Sequence, residues 1–419
     1  MNDIAASDVA PLAELWPEYW SFHRRRFSDT LDAFLKHSAA DHERKLLDLG
    51  IFPGFMAKLA GRAGFKVSGV SHEEMTPEFR AFAQANEMVL HQCDIERDRL
   101  PFEDNQFSAV LFTETIEHLH RNPYHPLAEA FRVLQPGGLL LVTTPNLCRW
   151  KSIHQLLYGE SFHPKIEGDF FESFPVNPNY KHCREYTAPE LVHLLSEQSM
   201  YVYRYETEKT YYSRCWDAFF IDFLRSARHL DKPVRHFFAW LIPALAPRFR
   251  SNLIVVARKP GFSALIPANR FENIAGLHAI EEDTDRNSMH RRPLDTPFRW
   301  TTSQASFSIR LPADTPAGNL RLRLRIGYLA PLEAGPRDVD FLVDGRTVQK
   351  LHLMPSKTYT VIDLPVDSPR AHGDALRIDI RSTTWKPAGL GFADSRDLGI
   401  MLAWGDSLLY TRGEARQSA

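Results

Sequence analysis

The apolar positions of this chain follow two patterns. Between residues 45 and 259, short apolar runs alternate with stretches whose apolar residues recur at helical spacing. "KLLDLG" reads as a first strand and 55–63 as the helix after it. "FKVSGVS" and 77–86 repeat the pair, and "MVLHQCD" is a third strand. "FSAVLFTE" is a fourth, followed by a helical run over 126–133, and "LQPGG" turns the chain into the strand "LLLVTTPN". A helix over 188–197, the strand "YVYRYETE", a helical insert over 211–250 and the strand "SNLIVVARK" follow. Strand–helix alternation at this spacing predicts crossover units and a parallel sheet.

The second pattern is period two. "RLRLRIGY" alternates strictly, and Asp344-Gly345 separates two alternating runs, a strong hairpin signal. "ALRIDIRS" and "LGIMLAW" behave alike, so 298–412 reads as an antiparallel, jelly-roll-like β-sandwich. The polar run "EEDTDRNSMHRRP" makes 261–297 a linker. Residues 1–42 form an N-terminal helical segment, with Leu12, Leu15, Trp16, Trp20 and Phe27 as apolar anchors. The fold class is therefore α/β over 43–260 plus an all-β sandwich. The 419-residue length suits two such domains.

Composition narrows the classes. A net charge of −2 argues against a long nucleic-acid footprint. Cys93, Cys148, Cys183 and Cys215 form no CxxC pair, so neither a disulfide framework nor a structural zinc site is expected. The N-terminus lacks a signal-peptide pattern, and no apolar run reaches the roughly 20 residues of a membrane span. The expected setting is reducing and cytoplasmic.

The candidate chemistry starts at Asp48-x-Gly50-x-x-x-Gly54, where the first strand enters the first helix. Glycines there let backbone approach a ligand, and the helix start offers free N–H groups. The plain alternative is a strand-to-helix turn. The second strand ends at Ser71, ahead of Glu73, near where a ribose would lie. The third ends at Asp94, placed to accept from an exocyclic amine, with the Ile95 N–H toward a ring nitrogen; a turn or cap role is the alternative.

With "LPFEDNQF" and "FRVLQPGGLLLVTTPN" added, residues 45–259 resemble the class I S-adenosylmethionine-dependent methyltransferases. The resemblance implies a Rossmann-like seven-stranded sheet with one antiparallel strand and S-adenosylmethionine across the strands' carboxyl ends. It implies Asp48, Gly50 and Gly54 around the methionine part, Ser71 at the ribose, Asp94 and Ile95 at the adenine, and Glu114 at the end of the fourth strand. Three positions depart from the family pattern: Phe52 replaces a glycine, while Ser71 and Ser108 replace acidic residues.

"ETIEHLH" places Glu114, Glu117 and His118 at i, i+3 and i+4, one face if helical. Two carboxylates and an imidazole can hold Mg²⁺ or Mn²⁺. A resemblance to metal-assisted O-methyltransferases, including those of ubiquinone precursors, adds His182 and implies four ligands: Glu114, Glu117, His118 and His182. The cation would acidify the acceptor hydroxyl. Alternatively, His118 or His182 is a metal-free base, Glu114 lines the cofactor and Glu117 favours a helix start. Thr187 and Glu190 read as a capping box.

The 211–250 insert is aromatic and basic, suiting either a cap over the substrate pocket or peripheral contact with the inner face of a membrane. "STTWKPAGLGFADSRDLGIMLAW" resembles sandwich domains of bacterial polysaccharide-assembly enzymes. Trp385, Asp394, Arg396 and Asp397 then suit sugar recognition, or else a core ring and an ion pair. The reading is methyl transfer to a sugar hydroxyl of a glycan, free or lipid-linked, beside a glycosyltransferase partner. The alternatives are a small phenol or carboxylic acid as acceptor, and an inactive scaffold.

Overall fold

A computed structural model describes residues 4–38, 44–72, 74–121, 123–157, 159–162, 182–196, 206–213, 242, 244–281, 297–316, 319–356, 359–366, 375–404 and 407–411. The chain divides between Lys259 and Pro260 into two compact units.

The first unit is built on strands β1 (Lys45–Leu49), β2 (Lys66–Ser71), β3 (Val89–Gln92), β4 (Phe107–Thr113), β5 (Leu134–Pro145), β6 (Glu206–Ser213) and β7 (Asn252–Arg258). Their order is 3-2-1-4-5-7-6. β7 runs antiparallel to both neighbours, and the pairings among β1 to β5 are parallel. The helices are α1 (Leu12–Leu15), α2 (Pro17–His37), α3 (Phe55–Arg62), α4 (Pro77–Ala85), α5 (Tyr124–Val133), α6 (Trp150–Leu157) and α7 (Ala188–Ser196). The central strands are apolar on both faces because both are covered. Leu46, Leu47, Val110, Leu111, Leu140, Leu141 and Val255 are fully buried.

α2 lays Trp20, Phe27 and Phe34, seven residues apart, against this core. Trp20 and Phe27 stack on Phe55 of α3 at 5.6 and 5.1 Å. Burying each such ring contributes about 2–3 kcal/mol, which clamps the N-terminal segment to the sheet. Leu15, expected as an anchor, is exposed instead. At the far end, buried Lys259 donates to Asn105 Oδ1 and to the Phe131 and Leu134 carbonyls, each at 2.8 Å. Burial lowers its pKa to about 8.

Two boundaries differ from expectation. The "LQPGG" residues already belong to β5, which starts at Leu134 beside Phe107 with a register shift. The insert does not begin at 211, because Tyr211–Ser213 pair with β7 as the end of β6. Residues 214–241, Cys215 among them, lie outside the described residues.

The second unit holds β8 (Ser263–Ile266), β9 (Phe271–Leu277), β10 (Phe298–Arg310), β11 (Leu320–Gly327), β12 (Arg337–Val343), β13 (Arg346–Leu353), β14 (Tyr359–Val366), β15 (Ala375–Ser382), β16 (Met401–Ala403) and β17 (Ser407–Thr411). Their path is 13-12-15-10-16-11-17-8, with β14 on β11 and β9 on β10. β10 pairs with β16 through residues 298–300 and with β15 through 304–310, so one long strand joins two antiparallel layers over one apolar core. Asp344 (φ 49°) and Gly345 (φ 78°) turn β12 into β13 as the hairpin signal predicts. The linker assignment for 261–297 is corrected: β8 pairs with β17, and β9 with β10. β8, stopped by Pro267, and β9, interrupted by Gly276, lack the long alternation that marks a strand in sequence. Among the described residues, no helix is long and apolar enough to cross a membrane.

Candidate active site

The turn after β1 bends through Gly50 (φ 83°) and Gly54 (φ 92°). Both glycines are required by their neighbours. A Cβ on Gly50 would lie 2.4 Å from Thr115 Oγ1, and one on Gly54 would lie 2.8 Å from the Phe79 ring. Thr115 Oγ1 also contacts the Leu49 carbonyl at 3.3 Å, so the loop after β4 is braced directly on the loop after β1. These two loops carry the candidate chemistry, and this contact sets their spacing.

Behind the turn, Asp48 is buried and its Oδ1 has no hydrogen-bond partner. Burial raises its pKa to about 7. It faces a hollow of about 50 Å³ lined by Tyr19, Arg26, Asp48, Gly50, Gly54 and Glu114, among others. That volume suits a small polar head rather than a whole nucleoside. Phe52 is 43% exposed and packs edge-on against Trp16 and Phe79 at 5.5 and 5.4 Å, so it borders the hollow without filling it. An orphaned buried carboxylate at a hollow with bare backbone fits a cationic amino group.

Ser71 ends β2, buried, with its carbonyl accepting from the Cys93 N–H at 2.9 Å. Glu73 lies outside the described residues. Asp94 serves its own turn: Oδ1 accepts from the Glu96 N–H at 3.0 Å and Oδ2 lies 3.4 Å from Arg97. Ile95 beside it is buried.

The Glu114–His118 segment is not an α-helix. Glu114 takes φ 49°, and only Ile116–His118 form a 3₁₀ turn. This separates the expected ligands. The Glu114 carboxylate pairs with Arg26 at 2.7 Å and accepts from Thr143 at 2.8 Å and from Asn252 at 3.0 Å. It lines the hollow, apart from the other three side chains expected to join it. Glu117, His118 and His182 do converge, each offering a ligand atom within 4.8 Å of the others. The two imidazoles meet edge-on at 5.1 Å.

Glu117 is buried and accepts from Thr144 Oγ1 at 3.0 Å. Burial, and then the nearby Glu114 charge, push its pKa well above the usual carboxylate range. Its carbonyl accepts from the N–H groups of Cys183 and Arg184 at 2.7 and 3.2 Å, which brings His182 across to His118. The Thr187–Glu190 capping box forms, with Glu190 Oε2 accepting from the Thr187 N–H at 2.9 Å. Arg184 pairs with Glu190.

Sequence reasoning passed over Arg26. It is a buried arginine beside Phe27 on the apolar side of α2, and its signal is a charge placed where the helix should be oily. A separate cleft of about 430 Å³ lies between α2 and the ends of β6 and β7. Arg25, Asp29, Asp32, Tyr211, Tyr212 and Arg250 are among its lining residues.

A family model described as "Methyltransferase domain" matches residues 47–142. The match spans β1 to β5, the segment that carries the glycine turn and the Glu117–His118 turn. A relative from Mycolicibacterium smegmatis, described as a probable S-adenosylmethionine-dependent methyltransferase, is 30% identical over 36% of this chain and 50% of its own. A ubiquinone biosynthesis O-methyltransferase from Roseobacter denitrificans is 30% identical over 24% of this chain and 41% of its own. Another of that name, from Maricaulis maris, is 28% identical over 34% and 63%. This chain thus spans about half the length of the curated relatives it matches. Among solved structures, an S-adenosylmethionine-dependent methyltransferase from Archaeoglobus fulgidus is 14% identical over 58% of this chain and 99% of its own, with a TM-score of 0.35.

In the second unit, Arg396 is taken up by Asp394 and Glu281 at 2.7 and 2.5 Å, and Asp397 lies 3.7 Å from Lys386. Trp385 meets Trp300 edge-on at 6.4 Å.

Proposed function

We propose that this protein is an S-adenosylmethionine-dependent O-methyltransferase acting on a sugar hydroxyl in glycan assembly. One observation carries the reading. Glu117 and His118 lie at the carboxyl edge of the sheet, on a loop braced against the turn beside the orphaned Asp48 carboxylate, and His182 reaches them from the 182–187 segment.

S-adenosylmethionine, when bound, supplies an electrophilic methyl group. Asp48 would take the amino group of its methionine part, and Gly50 and Gly54 keep the backbone clear of side chains there. Glu117, His118 and His182 would hold a divalent cation. With Glu114 diverted, one carboxylate and two imidazoles favour Mn²⁺ over Mg²⁺. Such a cation lowers the pKa of a coordinated hydroxyl. Buried Glu117, reluctant to ionise alone, gains a counter-charge in that arrangement.

Oxygen as the methylated atom draws support from the two relatives named O-methyltransferases. A sugar as acceptor draws support from the likeness of the 382–404 segment to sandwich domains of polysaccharide-assembly enzymes. A small phenol is the second reading, favoured by the ubiquinone biosynthesis names of those relatives. Membrane contact through 211–250 concerns residues mostly outside the described ones.

The test is transfer of labelled methyl from S-adenosylmethionine to nucleotide-sugars, lipid-linked glycans and catechols, with calorimetry of S-adenosylhomocysteine alongside. Label on a sugar hydroxyl is expected, with loss of turnover after chelation and recovery with Mn²⁺. An absence of binding heat overturns the enzyme reading. Full turnover after chelation in both wild type and Glu117→Ala removes the cation.

A further inference from the structure

We infer that Glu185, anchored by Arg149, is a positioning residue that holds His182 with its Nε2 turned toward Glu117 and His118. This rests on the proposed O-methyl transfer and names a residue that the reading above leaves out.

Residues 182–187 form a strap with little freedom. Its start is held by the two N–H donations to the Glu117 carbonyl. Its end pairs with the chain leaving β5, where the Leu147 N–H donates to the Tyr186 carbonyl at 3.0 Å. The strap turns the Glu185 side chain inward, where it is buried. Arg149 grips that carboxylate with both Nη atoms, at 3.0 Å from Nη2 to Oε1 and by a shorter contact from Nη1 to Oε2. The Arg149 N–H is itself fixed on the Asn146 carbonyl at 2.9 Å. The carboxylate is thus placed before His182 is considered.

His182 Nδ1 lies 2.9 Å from Glu185 Oε1. A carboxylate paired with arginine only accepts, so the imidazole must carry its proton on Nδ1. The lone pair then sits on Nε2. In that tautomer His182 can accept a proton or bind a cation beside His118, whose ring lies 5.1 Å away. A free imidazole prefers the opposite tautomer and would present N–H to the site. Burying a charged carboxylate is costly, and a buried pair is weak evidence for stability alone. Holding one tautomer gives this pair a role that stability does not supply.

The experiment compares wild type, Glu185→Ala and Glu185→Gln in the full chain. Turnover should fall about 10- to 100-fold in Glu185→Ala. Affinity for S-adenosylhomocysteine should stay unchanged, because Glu185 does not line the Asp48 hollow. Glu185→Gln, whose amide oxygen can still accept from Nδ1, should recover much of the loss. The readout that a merely structural role would not move is the ¹⁵N spectrum of labelled His182 above its titration range. Nδ1–H is expected in wild type and Nε2–H in Glu185→Ala. An Nε2–H tautomer in wild type, or turnover of Glu185→Ala within twofold of wild type, overturns the inference. Absence of transfer by wild type overturns the proposed function instead, and the tautomer measurement still decides the role of Glu185.

Discussion

Replacing Asp48 with asparagine should change stability in a pH-dependent way. The side chain is buried, one oxygen has no partner, and its pKa rises from 3.8 to about 7 on folding. That rise corresponds to about 4 kcal/mol, as an upper bound before relaxation. The sign follows from proton binding. Below pH 4 both states carry the proton and folding loses nothing. Between pH 4 and 7 the unfolded chain releases it while the folded chain keeps it, so stability falls. Above pH 7 the full loss persists. Asp48→Asn cannot ionise, so its stability advantage over wild type should grow by about 3 kcal/mol between pH 4 and 8. Urea-dependent hydrogen exchange of the β1 and β4 amides in the intact chain reads the first unit alone. Saturating S-adenosylhomocysteine should then stabilise wild type at pH 8 and barely affect the variant, because the ligand's amino group would meet an ionised Asp48. A gap between the two proteins that stays within about 1 kcal/mol from pH 4 to 8 would refute the reasoning. It would mean that water or a shifted side chain already satisfies the carboxylate.

Two further outcomes follow from the same site, and a third, at Gly137, is a control away from it. Arg26→Met should cost about 2 kcal/mol by urea unfolding, because it leaves the part-buried Glu114 carboxylate without its counter-charge. Gly54→Ala should cost about 2 kcal/mol and weaken S-adenosylhomocysteine binding in calorimetry, since it combines φ 92° with a Cβ 2.8 Å from Phe79. Gly137→Ala, at φ 77° with open space around it, should cost about 1 kcal/mol and leave binding intact.

Burial periodicity is a local property, and what it encodes was legible. The parallel sheet followed from alternation of apolar runs and helical stretches, and its single antiparallel strand from the family likeness. The Asp344-Gly345 hairpin and the Thr187–Glu190 cap needed only four to six residues of context. Asp48, Gly50 and Gly54 were singled out because a glycine turn after a first strand is itself a local signature, and the fold puts all three at one hollow. Glu117, His118 and His182 were named correctly as neighbours, although the helical face invoked for the first two does not exist. The short strands β8 and β9 were lost because they acquire their edges only by pairing with β17 and β10, more than 100 and about 30 residues onward.

Tertiary structure alone decided where each charge finds its partner. Glu114 could bind a cation or an arginine with equal chemistry. It turned from its neighbours because Arg26, 88 residues before it, and Asn252, 138 residues after it, are brought to its oxygens. Glu185 likewise became a support for His182 only because Arg149 reached it from another element. The order of polar and apolar residues determines which elements form, since each residue's burial depends on its near neighbours in the chain. Which carboxylates remain available for chemistry depends on distances through space, and those exist only once the sheet has closed.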